Sequence, residues 1–305
     1  MSKSNAKKIG IIGAINVDEI AFIDNEIIPY DSNNATRHLS VGGVGANIAR
    51  NLNKLQHPTT LITAFSSSDI EGLWLIEQLK KEKLDIKNIA CEKTSKFIAF
   101  CDQHNDLHLA INDMKAFENA MSIAKLSAYQ AQIKAFDVLI VDANFSQAVL
   151  LYLIKEFPGP IYAEAISKTK VSRLKPILSK LQGLKLNEQE ALSLLDKSEG
   201  SPKRLITELQ ALGPKEILLT LGSKGAIIAD ETGIKTYPSI TVKNAHTIGA
   251  GDAFFAGYLH GKLTDQAKAL SALALTKLTL ETKESVHPKL SLSLFNQTYK
   301  EFNHE

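Results

Sequence analysis

The segment 245–257 reads Ala-His-Thr-Ile-Gly-Ala-Gly-Asp-Ala-Phe-Phe-Ala-Gly. Gly249, Ala250 and Gly251 stand directly before an apolar run of helical character. Backbone N–H groups at such a helix start face outward, and the turn binds anions. Asp252 follows in the first helical turn, where its carboxylate could accept a proton from a hydroxyl attacking a bound phosphoryl group. An aspartate also favours a helix N-terminus through the dipole alone, and the tetrapeptide by itself fits both readings. Elsewhere, Asn187 with Glu190 three residues on reads as a capping box at a helix start. Asn16 and Asp18, after the first apolar run, read as turn formers, and Thr220 to Gly225 as a tight turn between strands. The phosphate loop Gly-x-x-x-x-Gly-Lys-Ser/Thr is absent, as is Gly-x-Gly-x-x-Gly after the first strand. No constellation supports zinc or thiol catalysis.

These residues need a scaffold, and the chain supplies one. It has 305 residues, 44% hydrophobic and 22% charged, with 35 Lys+Arg against 33 Asp+Glu. A balance of +2 without a basic run lacks the footprint of a nucleic-acid or membrane binder, so small molecules are the expected partners. No apolar run is long enough to cross a bilayer. The start, 1–8, is polar without a leader-type core, and two cysteines ten positions apart make neither a disulfide framework nor a metal knuckle. The expectation is a reduced, cytoplasmic protein.

Short β-rich runs at 8–15, 59–64, 137–142, 160–165, 183–186 and 216–221 alternate with amphipathic stretches at 46–56, 73–82, 119–136, 147–157, 188–195 and 202–212. Three more helices are expected near 251–263, 265–282 and 290–302. Strands alternating with helices predict an α/β fold, a mostly parallel sheet covered on both faces. Two stretches break the alternation. Residues 19–28 and 96–111 read as consecutive strands, with a turn at His104, Asn105 and Asp106, and predict a small separate sheet forming a lid.

The run 247–254 resembles the C-terminal signature of the ribokinase-like (PfkB) family of sugar and nucleoside kinases. The resemblance implies a three-layer α/β/α sandwich with a small β-strand lid, one domain over 1–305, and lid strands inserted at about 19–37 and 95–112. It makes Asp252 the catalytic base and Gly249, Ala250 and Gly251 the hole for the γ-phosphate of ATP. Gly42-Gly43-Val44-Gly45-Ala46-Asn47 resembles the family's Gly-Gly motif, which implies sugar contacts from Gly42, Gly43 and Asn47. Asn16 and Asp18 match its sugar-binding pair, a carboxylate suited to vicinal hydroxyls. Asn187 and Glu190 match the element that organises Mg²⁺ through water, and Thr220, Gly222, Ser223 and Gly225 match the nucleotide loop.

Within the family, the surroundings of Asp31 and Ser32, Val44 after the glycine pair, and the run ending in Asn112 and Asp113 look most like the pseudouridine kinases. Ser167 and Lys170 fit a Ser-x-x-Lys pattern of that subgroup, which implies a nucleotide contact from Lys170, although a solvated helix-start lysine fits too. The implied reaction is phosphorylation of the 5′-hydroxyl of pseudouridine; ribose, adenosine, inosine or a hexose are the alternative acceptors, and a silent nucleoside-binding protein the remaining one. Three departures stand out. His246 replaces the acidic or amide residue that helps hold a monovalent cation, which puts K⁺ activation in doubt. Glu164-Ala165 replaces Asp-Pro, and the loop 67–72 lacks its first glycine. A homodimer through the lid strands is also implied.

Overall fold

The computed structural model describes residues 6–102, 107–243 and 245–303. The strands are β1 (Ile9–Ile12), β2 (Asn16–Ile23), β3 (Ala35–Gly42), β4 (Thr59–Phe65), β5 (Asp85–Ala90), β6 (Lys96–Cys101) and β7 (Leu107–Asp113). They continue with β8 (Val138–Asp142), β9 (Ile161–Glu164), β10 (Gly183–Asn187), β11 (Glu216–Thr220), β12 (Ala226–Asp230) and β13 (Gly233–Tyr237). Nine of them form one sheet in the order β13-β12-β11-β10-β9-β8-β1-β4-β5. It is parallel from β5 to β11, and β12 and β13 add antiparallel strands at one edge.

Strand alternation divides the core into two layers. Ile9, Ile11 and Ile140 face one layer with Ile48 and Leu52 of the helix Val44–Lys54 and Phe255 of the helix Ala250–Thr264. Ile12, Leu139 and Val141 face the other, with Leu150, Leu192 and Leu205. Burying each such side chain contributes about 1.5–3 kcal/mol, so both faces of the sheet must be covered. This is the three-layer α/β/α arrangement the sequence predicts. From β1 the chain first builds outward through β4 and β5, then returns to β8 on the other side. Open parallel sheets take ligands beyond their C-terminal ends at such a reversal.

After β1 the chain leaves the large sheet, and β2, β3, β6 and β7 form a separate sheet in the order β3-β2-β6-β7. Its register places Ser40, Asp18, Phe97 and Asn112 in one row across all four strands. The expected turn at His104, Asn105 and Asp106 lies outside the described residues.

The expected strand 8–15 is shorter, because the backbone turns at 13–15 to enter the small sheet. The expected helix 119–136 is broken into Lys115–Ala120, Ile123–Leu126 and Gln130–Lys134; Ser122 accepts from the Lys125 N–H and caps a new start. A 3₁₀ run, Val171–Lys180, contains Pro176 and was not expected. In the loop 67–72, Asp69 accepts from the N–H of Gly72 and from both the N–H and hydroxyl of Thr94, tying this loop to the chain entering β6. Among the described residues no helix is long and apolar enough to cross a membrane.

Candidate active site

Two helix starts meet through Asn47 and Asp252. The helix Ala250–Thr264 begins at Gly249, whose φ of 74° is left-handed and whose β-carbon position is filled by the Ser285 carbonyl. Asp252 in its first turn is 8% exposed, and its Oδ2 accepts from Asn47 Nδ2 at 2.9 Å. Burial pushes the Asp252 carboxyl up to about 7 and the charge of Glu164 adds to this; Lys185 and the Asn47 amide pull the other way. A carboxylate poised near neutrality can take a hydroxyl proton and give it up again.

Asn47 lies on the helix Val44–Lys54, which starts after Gly43 at φ 95°. Gly42 packs directly on the Asp18 carboxylate, leaving no room for a side chain. Asn16 Nδ2 donates to Asp18 Oδ1. Burial pushes the Asp18 carboxyl up to about 7, against the Asn16 hydrogen bond and the charge of Arg50. Ser40 Oγ, on the residue paired with Asp18, and Asn47 Oδ1 are buried and have no partner within the protein. Buried orphans of this kind are atoms a ligand would satisfy, and hydroxyl-rich ligands suit them.

On the other side of Asp252 opens a cavity of about 720 Å³. Gly249, Ala250, Gly251 and Asp252 line it together with Asn187, Glu190, Thr220, Gly222, Ser223 and Gly225. The turn after β11 closes through Leu221 N–H to the Gly225 carbonyl and then continues into β12, so loop and hairpin are one feature. Ile240, Val242, Leu273 and Leu280 form an apolar wall that sequence reasoning missed.

Asn187 and Glu190 do form a capping box: Asn187 Oδ1 accepts from the Glu190 N–H, and Glu190 Oε2 from the Asn187 N–H at 2.7 Å. Burial, and then the charge of Glu164, push the Glu190 carboxyl up to about 7. Glu164, Glu190 and Asp252 thus share this pocket with Lys185, an excess of hard oxygen donors that fits a divalent cation. Among the described residues no three such side chains converge closely enough to hold an ion alone.

Several expected site residues lie elsewhere. Lys170 Nζ donates to Asn144 Oδ1 at 2.6 Å and pairs with Glu118 at 3.2 Å, and it does not line the cavity. Asp31 and Ser32 are exposed in the loop joining β2 to β3, beyond Ile23. Ile23 is already about 17 Å along the strand from Asp18. Asn112 shares the face of Asp18, but strand alternation turns Asp113 to the opposite face, where it meets Lys93 at 2.6 Å. His246 donates its backbone N–H to the Leu280 carbonyl. Two polar residues were missed: Ser40, and Lys185, whose Nζ is 2.5 Å from Glu164 Oε1. Only the cross-strand register brings either to the site.

A pseudouridine kinase from Escherichia coli K12 is 27% identical over 256 residues, spanning 81% of this chain and 81% of its own length. A guanosine-inosine kinase from Exiguobacterium acetylicum is 26% identical over 88% of this chain and 91% of its own. The structure of Arabidopsis thaliana ribokinase, complexed with ribose and ATP, superposes with a TM-score of 0.79 over 97% of this chain and 99% of that one, at 19% identity. The family model of pfkB family carbohydrate kinases matches residues 6–276, from the strand before Asn16 through the helix behind Asp252. With that match added to a ribokinase-like fold, the chain belongs to the pfkB family of carbohydrate kinases.

Proposed function

We propose that the protein is an ATP-dependent nucleoside kinase that phosphorylates the 5′-hydroxyl of pseudouridine, yielding pseudouridine 5′-phosphate and ADP. The carrying observation is the row Ser40, Asp18, Phe97, Asn112. Neighbouring strands are about 4.8 Å apart. A carboxylate for a ribose diol is therefore followed, one strand on, by an aromatic surface for a flat base, and then by an amide that can pair with a base edge. Kinship to a pseudouridine kinase supports the base, and kinship to a guanosine-inosine kinase favours a purine nucleoside as the second reading.

In this reading Asp18, with Asn16, Gly42, Gly43 and Asn47, fixes the ribose. Asp252 takes the 5′-hydroxyl proton as the oxygen attacks, and the backbone N–H groups of Gly249, Ala250 and Gly251 hold the transferring phosphate. Mg²⁺ supplies neutralisation of the phosphate charge when bound, with Asn187 and Glu190 holding its water. Thr220, Gly222, Ser223 and Gly225 cradle the nucleotide beside the apolar wall. ADP release measured over nucleosides and free sugars, with ATP and Mg²⁺, tests this; turnover on sugars alone would overturn the nucleoside assignment.

The reading extends to a cytoplasmic homodimer. Leu39, Leu109 and Ile111 are exposed on the outer face of the small sheet, where a second copy would cover them. Sedimentation at the 33.4 kDa of one chain would contradict the dimer.

A further inference from the structure

Arg50 is only 8% exposed and lies on the helix that carries Asn47, one turn further on. Arginines are rarely buried without partners, and this one is held from two directions. Its Nε and Nη2 fork onto the two carboxylate oxygens of Glu82 at 2.9 and 2.8 Å, and its Nη1 donates to the Val41 carbonyl at 3.2 Å. We propose that Arg50 is a positioning residue for the acceptor, whose charge holds the Asp18 carboxylate, and whose Nη1 holds the strand end at Gly42, in the form that receives two hydroxyls. This rests on the kinase reading and adds to it the residue that governs the grip on the sugar.

The Glu82 fork by itself reads as a tie between helices. Glu82 follows the helix Ile70–Lys80, and the helix Val44–Lys54 already reaches it through Asn53 Nδ2, which donates to the Glu82 carbonyl at 2.8 Å, and through Lys54 Nζ, 3.9 Å from its carboxylate. Apolar residues of similar volume would serve stability as well as a buried ion pair. The bond to Val41 points elsewhere. Val41 directly precedes Gly42, and a β-carbon on Gly42 would lie 2.1 Å from Asp18 Oδ1. Arg50 therefore holds the peptide against which the Asp18 carboxylate rests.

Charge turns that placement into function. A carboxylate accepts from two hydroxyls with both oxygens, whereas a protonated carboxyl uses one oxygen as a donor. Burial disfavours the carboxylate at Asp18 and pushes it up to about 7, and Arg50 opposes this. Asp252, at the start of the helix Ala250–Thr264, interacts with Asp18 as a like charge. On the small sheet, His38 pairs with Glu284 at 3.2 Å, while Glu19, Arg37, Lys96 and Glu71 pair among themselves on the face opposite Asp18. Arg50 is thus the cation that keeps a buried carboxylate available near neutral pH.

A tie between helices and a residue that holds a charge differ in how acceptor affinity depends on pH. Calorimetric titration with pseudouridine and with D-ribose, without ATP, measures that affinity. Arg50→Met alone would leave the Glu82 charge to Lys54, so Arg50→Met with Glu82→Gln is the charge-balanced variant. Wild-type affinity for either acceptor should fall below about pH 7. In the double variant this acid limb should move up by about one pH unit, making binding about fivefold weaker at about pH 7 yet within about twofold of wild type at about pH 9. Arg50→Lys should restore the wild-type limb, and kcat at saturating acceptor should stay within about twofold in the double variant. Should the double variant melt below the assay temperature, Arg50→Gln, which keeps a donor for Val41, carries the same prediction. A limb that stays in place, or a loss equal at every pH, would overturn the role of Arg50 while leaving the kinase reading intact. Wild-type protein that binds neither acceptor would overturn both.

Discussion

Asn47 and Asp252 stand 205 positions apart in the chain, and their side chains meet at 2.9 Å in the buried floor of the cleft. One follows the glycine pair beside Asp18; the other heads the helix whose first turn faces the large cavity. This hydrogen bond joins the half of the site suited to hydroxyls to the half suited to phosphates. It also fixes the carboxylate that stands between them.

Because the Asn47 amide stabilises the charged form of Asp252, its removal should raise the pKa of that carboxyl, the proposed base, further above about 7. The acid limb of kcat/KM is expected near pH 7 in the wild type and at higher pH in Asn47→Ala, with activity at pH 7 lower by about tenfold or more. The pH–rate profile of the two proteins checks this. A limb that stays in place would show that the contact does not tune the base.

Asp252→Asn should lose about a thousandfold in kcat and gain stability. The folded-state pKa is raised from 3.8 to about 7, so the fold disfavours the ionised form. The wild type is therefore penalised progressively as pH rises from about 4, and fully above about 7. Thermal melts should show the variant more stable by about 2–4 kcal/mol at pH 8, with little difference at pH 3.5. A variant less stable than wild type at pH 8 would contradict the burial argument.

Glu190 separates capping from metal binding. Glu190→Gln keeps an oxygen for the Asn187 N–H, so the melting temperature should hold, while the Mg²⁺ concentration for half-maximal rate rises about tenfold or more. Glu190→Ala should lose both, costing about 1 kcal/mol through the broken cap. A Mg²⁺ titration unchanged in Glu190→Gln would restrict this residue to capping.

Asn112→Ala should raise KM for the nucleoside about tenfold while leaving any phosphorylation of free ribose unchanged. Asp18→Asn should weaken both acceptors. Kinetics on the two substrates test whether the row across the small sheet reads the base. Equal losses on nucleoside and ribose in Asn112→Ala would remove this residue from base recognition.

The layers, and the two turns that line the large cavity, were legible because their information is contiguous. Apolar runs alternate with amphipathic ones, and Gly249 to Asp252 or Thr220 to Gly225 each occupy one turn. What remained hidden depends on residues meeting across strands. Lys185 reads as an interruption in an apolar strand until β9 places Glu164 opposite it, and Ser40 means nothing until it stands beside Asp18. Asn112 and Asp113 read alike in sequence, yet consecutive residues of a strand face opposite ways. Lys170 fits either a phosphate contact or a solvated helix start in the sequence, and its partners Glu118 and Asn144 are both distant in the chain.

Turnover with pseudouridine against uridine, ATP and Mg²⁺ being common to both, tests the central claim most directly, since the two share a ribose and differ at the glycosidic bond and base edge. The account predicts pseudouridine-dependent ADP release, with kcat/KM about tenfold or more above that for uridine, and its loss in Asp252→Ala. No ADP release with pseudouridine, or equal turnover of the two nucleosides, would contradict it.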